Sequence, residues 1–560
     1  MGYIKKNSGL LFVFFISLVP LLNLLTPGLP ITHDSLEHTA RIASFYQSVS
    51  EGNIIPRWAG NLNWGYGHPI LMFLYPLPSY MASFFHFLDF SYVDSVKILF
   101  SISFSLSGIF MFLWLKQFLN QNTAVLGSIL YLFAPYRFID LYVRGALGEH
   151  VAFVFIPLLL IALFYLNNLS VKARLRNYYF GFIFIAFSFA GLILSHNAIS
   201  LLFFPFLLFY VFYLFYIEKS KIKFSLSFFS LLVGLLLSFF FWFPAFMEGK
   251  YTLRDIVTAG VYSERFVNFK DLIYSNWGFG GTGEFSVQIG FVHIILIVLS
   301  IFLFFKIFKK NDNLKILFLG TLLFLFVSIF LMLGYSDIIW RNLTTLQKLQ
   351  FPWRFLSITV FCTSLIGAIF IYKLNLKNKN ILIIVLIITT ILLTANFWYA
   401  KEFKKYEDKY FETIFDSTTD TGESSPIWSV RFMESRPKSN IEVIEGKATI
   451  VELPRNSTYH EYVIDTQEKT RIRENTLYFP GWKVYDNYKI VENVEFQDPK
   501  NRGVITFYLD RGMHSIILKF EDTKLRRVSN YVSLFSIFII FTVPLIFLLN
   551  PKLKTKKYKW

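Results

Sequence analysis

One cysteine, Cys362, occurs in 560 residues. It lies inside a hydrophobic run, so an intrachain disulfide and a cysteine-based zinc site are both excluded. Charge is sparse: 16% of residues are Asp, Glu, Lys or Arg, with 37 acids against 54 bases. No repeat of fixed period is visible. No small-residue cleavage site follows the first apolar segment, which is also too long for a removable signal peptide. Uninterrupted polar sequence is scarce as well: 54% of residues are hydrophobic, 20% are aromatic, and the mean hydropathy is +0.49. Many segments of about 20 apolar residues carry few charges, which is the pattern of a polytopic α-helical membrane protein. In a soluble chain the net charge of +17 would suggest nucleic acid. Here the placement of the charge matters more than its total, and no nucleic-acid partner is expected.

The apolar segments run roughly over 10–28, 96–115, 122–140, 150–167, 177–195, 197–217, 225–246, 287–305, 314–334, 355–372, 381–399 and 530–549. A further stretch, 69–88, holds Pro69, Pro76 and Pro78, and prolines so closely spaced break a spanning helix. If 69–88 does not cross, the basic clusters at Lys5–Lys6, Lys116, 168–176, 218–223, 306–313, 373–380 and the C-terminal tail all fall on one side. If it crosses, every cluster after the first flips. The positive-inside rule therefore predicts about twelve spans with both termini in the cytoplasm of a plasma membrane, and 69–88 as a juxtamembrane or re-entrant element. The short loops on the cytoplasmic side carry no P-loop or Rossmann signature, so any chemistry is extracytoplasmic and not directly ATP-driven. Residues 1–399 read as a transmembrane domain whose first outer loop is 29–95. Residues 400–529, with alternating runs such as KATIVEL and GVITFYL, read as a β-rich outer domain. Residues 530–560 read as a last span and a basic tail. Trp428, Trp482 and Tyr485 are either core or sugar-stacking residues.

The first outer loop is dense in polar groups. Asp34, Glu37, His38 and Arg41 share one helix face by their i, i+3, i+4, i+7 spacing, and Arg57-Trp58 follows. Asp34 and Glu37 also have the spacing of a capping box, which is a purely structural alternative. Two later outer sites add Arg144, Glu149 and His150, then His196-Asn197. Ionisable groups near a bilayer are costly and tend to be paired or functional. A carboxylate from each of the first two outer loops would hold a divalent metal (Mg, Mn or Ca) or activate a hydroxyl as general base. Arg57, Arg144 and Arg354 offer paired N–H donors to a phosphate. The 247–286 loop ends in WGFGGTGEFSVQIG, whose glycines either admit a phosphate or sugar close to the backbone or form a flexible connector.

The combination HDSLEH, GNIIPRW, NWGYGHP and YPLP, with Arg144-Gly145…Glu149, Gln350-Phe351-Pro352-Trp353-Arg354-Phe355 and Tyr478-Phe479-Pro480-Gly481-Trp482, resembles a family of bacterial and archaeal polytopic proteins. That family is described as membrane proteins with a 6-pyruvoyl-tetrahydropterin synthase-related domain. Nothing in the chain resembles the small soluble, zinc-binding catalytic fold behind that label. The architecture resembles instead the GT-C superfamily of membrane glycosyltransferases. That resemblance implies a polyprenyl-phosphate sugar donor and a glycan, lipid or polymer acceptor. It makes Asp34 the catalytic base or metal ligand and Glu149 the second catalytic acid and metal ligand. It places Arg144 or Arg354 on the lipid phosphate, with Glu37, His38, Arg57, Trp58 and His196 lining the substrate site. The chain departs from the GT-C pattern in lacking an Asp-Asp pair in the first loop and a DxD in the second. Two readings from other classes remain at this level: a transporter of lipid-linked glycan, and a non-catalytic glycan-binding envelope protein.

Overall fold

The computed structural model describes residues 2–170, 173–309 and 312–549. Lys172, Lys310 and the basic tail after Leu549, all used above to orient the chain, lie outside the described residues. Among the described residues, eight helices are long and apolar enough to cross a membrane, or up to ten if each of two bent pairs is one span. The described residues thus support eight to ten spans and do not confirm the expected count of about twelve. The 287–305 segment forms a helix of only 12 residues, Phe291–Phe302, which at 1.5 Å per residue covers about 18 Å of a core about 30 Å thick. The 530–549 segment belongs to a 26-residue helix, Lys524–Leu549, described only in part at side-chain level and not among those counted. Residues 69–88 form two short helices, Ile70–Phe73 and Leu77–Phe87, neither of which has the length of a span.

Proline sets the irregularities. Gln121–Leu132 and Pro135–Arg144 meet at 49°, with Pro135 opening the second piece. Within Leu147–Asn167, Pro157 cannot bond the Phe153 carbonyl one turn back, and the Tyr131 hydroxyl donates to that carbonyl at 2.9 Å instead. Lys221–Leu237 and Phe239–Tyr251 meet at 65°. There Pro244 leaves the Phe240 carbonyl free, and Arg57 Nη2–H donates to it at 3.2 Å.

The bundle has two poles. At one, Gln121 Nε2–H donates to Ser8, Asn122 to Asn380, and Lys373 pairs with Asp312. At the other, the first outer loop, the turn before Glu149, the 247–286 and 335–354 loops and the segment after residue 400 meet. His33 Nε2 lies 3.3 Å from the Phe279 carbonyl, Leu253 N–H donates to Ser425, and Glu149 pairs with Arg354. Residues 29–30 pair as a minimal antiparallel ladder with 403–404.

The β-rich region is narrower than expected. Its two antiparallel sheets begin at Ile441. One sheet runs Ala448–Glu452, Tyr459–Thr466, Gly512–Phe520, Trp482–Asp486, Lys489–Ile490, and the other Ile441–Glu445, Thr470–Leu477, Val504–Leu509. Alternation explains the packing: His460, Tyr462, Ile464 and Thr466 point inward and their neighbours outward. Residues 405–440 contribute no strand. They run along the first loop instead, where Asn63 N–H donates to the Ser417 carbonyl and Phe415 N–H to that of Asn61, both at 2.9 Å.

Candidate functional site

Three places that the sequence singled out separately come together at the loop-bearing pole. A π-helical turn, Ile139–Arg144, ends on Gly145 at φ +68, and the next helix starts at Leu147 with Glu149 in its first turn. Arg144 therefore sits beside Glu149. Arg144 Nη2–H donates to Glu149 Oε1 at 2.9 Å, and Nη1–H to Asp140 Oδ1 at 2.5 Å. Arg354 Nε–H reaches the same Glu149 oxygen at 3.3 Å, and the Tyr136 hydroxyl donates to the other at 2.9 Å. Trp353 lies flat against Arg144, with the guanidinium carbon 4.5 Å from a ring centroid. Two guanidinium groups and two carboxylates thus neutralise each other in a buried cluster. Such a cluster holds only while every member is paired.

Asp34 docks onto this turn through its backbone. His33 N–H and Asp34 N–H donate to the carbonyls of Val143 and Arg144 at 3.0 and 2.9 Å. A side chain at Gly145 would overlap Thr32, so glycine is what lets the two loops touch. The capping-box alternative is not what forms. Asp34 is the N-cap of Ser35–Ser50 by position, but its carboxylate caps nothing, and Glu37 instead accepts from the Ser417 hydroxyl at 2.9 Å. The half-buried Asp34 carboxylate makes no hydrogen bond or ion pair among the described residues. Burial pushes its pKa up, against the opposing pull of Arg144, Arg41, His33 and Arg354. Burial also raises Glu37 and holds His38 well below the usual histidine range. His38 Nδ1 accepts from Arg41 Nη1–H at 3.0 Å, which places the ring proton of neutral His38 on Nε2. Arg41 also donates to the Thr419 hydroxyl and carbonyl. It has no carboxylate partner among the described residues.

His196 completes the cluster. Its Nδ1 accepts from Ile199 N–H at 3.2 Å, and its ring stacks on Tyr75 at 4.6 Å. Tyr75 comes close because residue 148 is glycine: a Cβ there would overlap the tyrosine ring. Arg41 belongs to the helix face singled out in the sequence, although no role was assigned to it there, whereas Tyr75, Tyr136 and Asp140 are site residues that the sequence reading did not select. Of these three only Tyr75, in the YPLP motif, carried a signal.

Two expected site residues lie elsewhere. Arg57 Nε–H pairs with Asp522 at 3.1 Å and Nη2–H donates to Asn530 at 2.7 Å. Trp58 is buried edge-on against Trp482 at 5.5 Å, and both belong to the core shared with the sandwich. Trp482 is thereby a packing residue. Among the described residues no three His, Cys, Asp or Glu side chains are grouped so as to hold a metal ion. The proposed pair does not fit one either. Both oxygens of Glu149 already accept hydrogen bonds, and the flanking guanidinium groups oppose a second cation.

Residues 71–402 match the family described as 6-pyruvoyl-tetrahydropterin synthase related domain, membrane protein. The chain belongs to this family. The family match contains Arg144, Glu149, His196 and Arg354, and it begins after Asp34 and ends before the sandwich. The chain is also similar to an uncharacterized protein of Lactococcus lactis subsp. cremoris (strain MG1363), at 28% identity over 299 residues. That similarity covers 49% of this chain and 45% of the relative, so the chain spans less than half of that protein's length.

Proposed function

We propose that the chain is an integral-membrane glycosyltransferase, as the GT-C resemblance implies, with both termini in the cytoplasm and the loop-bearing pole outside the plasma membrane. It would move a sugar from a polyprenyl-phosphate donor to a hydroxyl of an extracytoplasmic acceptor. The observation that carries this reading is the unpaired Asp34 carboxylate, its proton affinity raised by burial, set beside the guanidinium groups of Arg41, Arg144 and Arg354. A general base needs a proton affinity nearer neutrality than an exposed carboxylate has. In this scheme the acceptor hydroxyl gives its proton to Asp34. Its oxygen forms the bond to the anomeric carbon as the bond from that carbon to the phosphate oxygen breaks, and the electron pair leaves with the phosphate. Arg41, which forms no ion pair among the described residues, is the best placed to take up the phosphate charge. Glu149 serves by holding Arg144 and Arg354 in position, and no metal is needed for this scheme.

The test is mass spectrometry of polyprenyl-phosphate sugars in cells carrying the intact protein or Asp34→Asn at matched expression. The variant is expected to accumulate one glycosylated carrier. Identical lipid pools would remove the transferase reading.

A further inference from the structure

A cavity of about 500 Å³ opens in the 264–287 loop region, within the roughly 300–1,000 Å³ range of small-molecule sites. Its lining is polar and has three carboxylates, Glu264, Asp271 and Glu284, against one guanidinium, Arg265. Such a wall disfavours a phosphate. The grouping does not hold a metal either. What it offers is a set of unfilled hydrogen bonds. Arg265 Nη1 and the Nε1 of Trp353 are buried donors without a protein partner, and Trp353 is only 3% exposed. The carboxylates of Glu264 and Glu284 form no ion pair among the described residues. Glu284 reaches its position by folding over Gly280, where a Cβ would overlap the carboxylate. Tyr274, 70% exposed, presents a ring on the lining. Lining residues that carry unpartnered donors, together with free carboxylate acceptors, suit groups that donate and accept at once, which is the property of a hydroxyl.

The inner wall backs onto the Asp34 site. Trp353 covers Arg144 at 4.5 Å. Phe285 meets Trp353 edge-on at 5.1 Å and His33, next to Asp34, at 6.1 Å.

We propose that this cavity binds an uncharged, polyhydroxylated sugar unit, the acceptor end of a glycan, through Glu264, Glu284, Arg265 and Trp353. As an acceptor site it rests on the transferase reading. As a sugar site it stands without it. The experiment uses the full-length protein in nanodiscs, titrated with maltose, lactose and chitobiose by saturation-transfer NMR. Two variants accompany it: Glu284→Ala, which removes an acceptor, and Asn276→Trp, which fills the space from an exposed loop position. At least one disaccharide is expected to bind. Each variant should weaken it by about tenfold or more with an unchanged melting temperature. Absence of binding by all three sugars, or binding indifferent to both variants, overturns the assignment. Sugar binding with identical lipid pools in Asp34→Asn cells would remove the transferase reading and leave the cavity assignment standing. Changed lipid pools without sugar binding would do the reverse.

Discussion

At the scale of single residues, Asp34 and Glu149 are two carboxylates with opposite circumstances. Glu149 is surrounded by donors, whereas Asp34 is half-buried beside cations without pairing with one. Burial raises the Asp34 pKa above its ordinary 3.8, so the folded state binds this proton more tightly than the unfolded state does. The stability linked to that proton is complete below about pH 3.8 and is lost as pH rises through the raised folded pKa. At pH 7 the ionised carboxylate is therefore a cost that Asn lacks. Asp34→Asn is expected to melt at a higher temperature than the parent protein at pH 7, with the gap closing as pH is lowered towards 4. Thermal unfolding in detergent across pH 4–7.5 checks this, and a gap that does not change with pH would show that Asp34 is not the cause. A residue that is held at the expense of stability fits a functional role better than a structural one.

Between elements, the decisive contacts are made where side chains are absent. The helix Leu147–Asn167 and the Tyr75 segment approach through Gly148, and Tyr75 then stacks on His196. Gly148→Ala should push the tyrosine away and destabilise the protein by about 1–3 kcal/mol, the usual cost of overpacking. The cause is separable. In a Tyr75→Ala background the same Gly148→Ala change should cost much less, because the clash has no partner. A double-mutant cycle on melting temperatures reads this directly, and additive effects would mean the strain lies in the helix itself. Arg57 illustrates the same scale from the other side. It is drawn away from the site because Pro244 frees a carbonyl and Asp522 offers a carboxylate.

For the whole molecule, one joint between the sandwich and the bundle is built around a buried ion pair. Arg526 Nε–H donates to Glu248 Oε2 at 2.8 Å, and its Nη2–H reaches the Pro480 carbonyl. That ties the start of Lys524–Leu549, the 480–482 turn and the Phe239–Glu248 helix together. Removing one partner of a buried pair typically costs about 3–5 kcal/mol. Arg526→Ala should loosen this joint, so limited proteolysis in detergent should cut around 521–524 faster than in the parent while the sandwich fragment itself stays resistant. Unchanged cleavage there would assign the joint to the Trp58, Trp482 and Phe520 packing instead.

Composition and local order determined much by themselves. Long apolar runs can be satisfied only as helices in a bilayer, and two-residue alternation after Ile441 produces sheets. Both follow from neighbours within a few residues, so both are legible in the chain. The gathering of Asp34, Arg144, Glu149, His196 and Arg354 at one pole followed from the loop order, since each lies at a segment end. Contact between those groups was decided only by the tertiary structure. It depended on Gly145 and Gly148 admitting neighbouring loops, on Asp140 and Tyr136 entering the Glu149 cluster, and on Arg57 finding a better partner far away in sequence. An ion pair is set by which charges come within a few ångströms, and that distance is a property of packing that spacing along the chain does not contain.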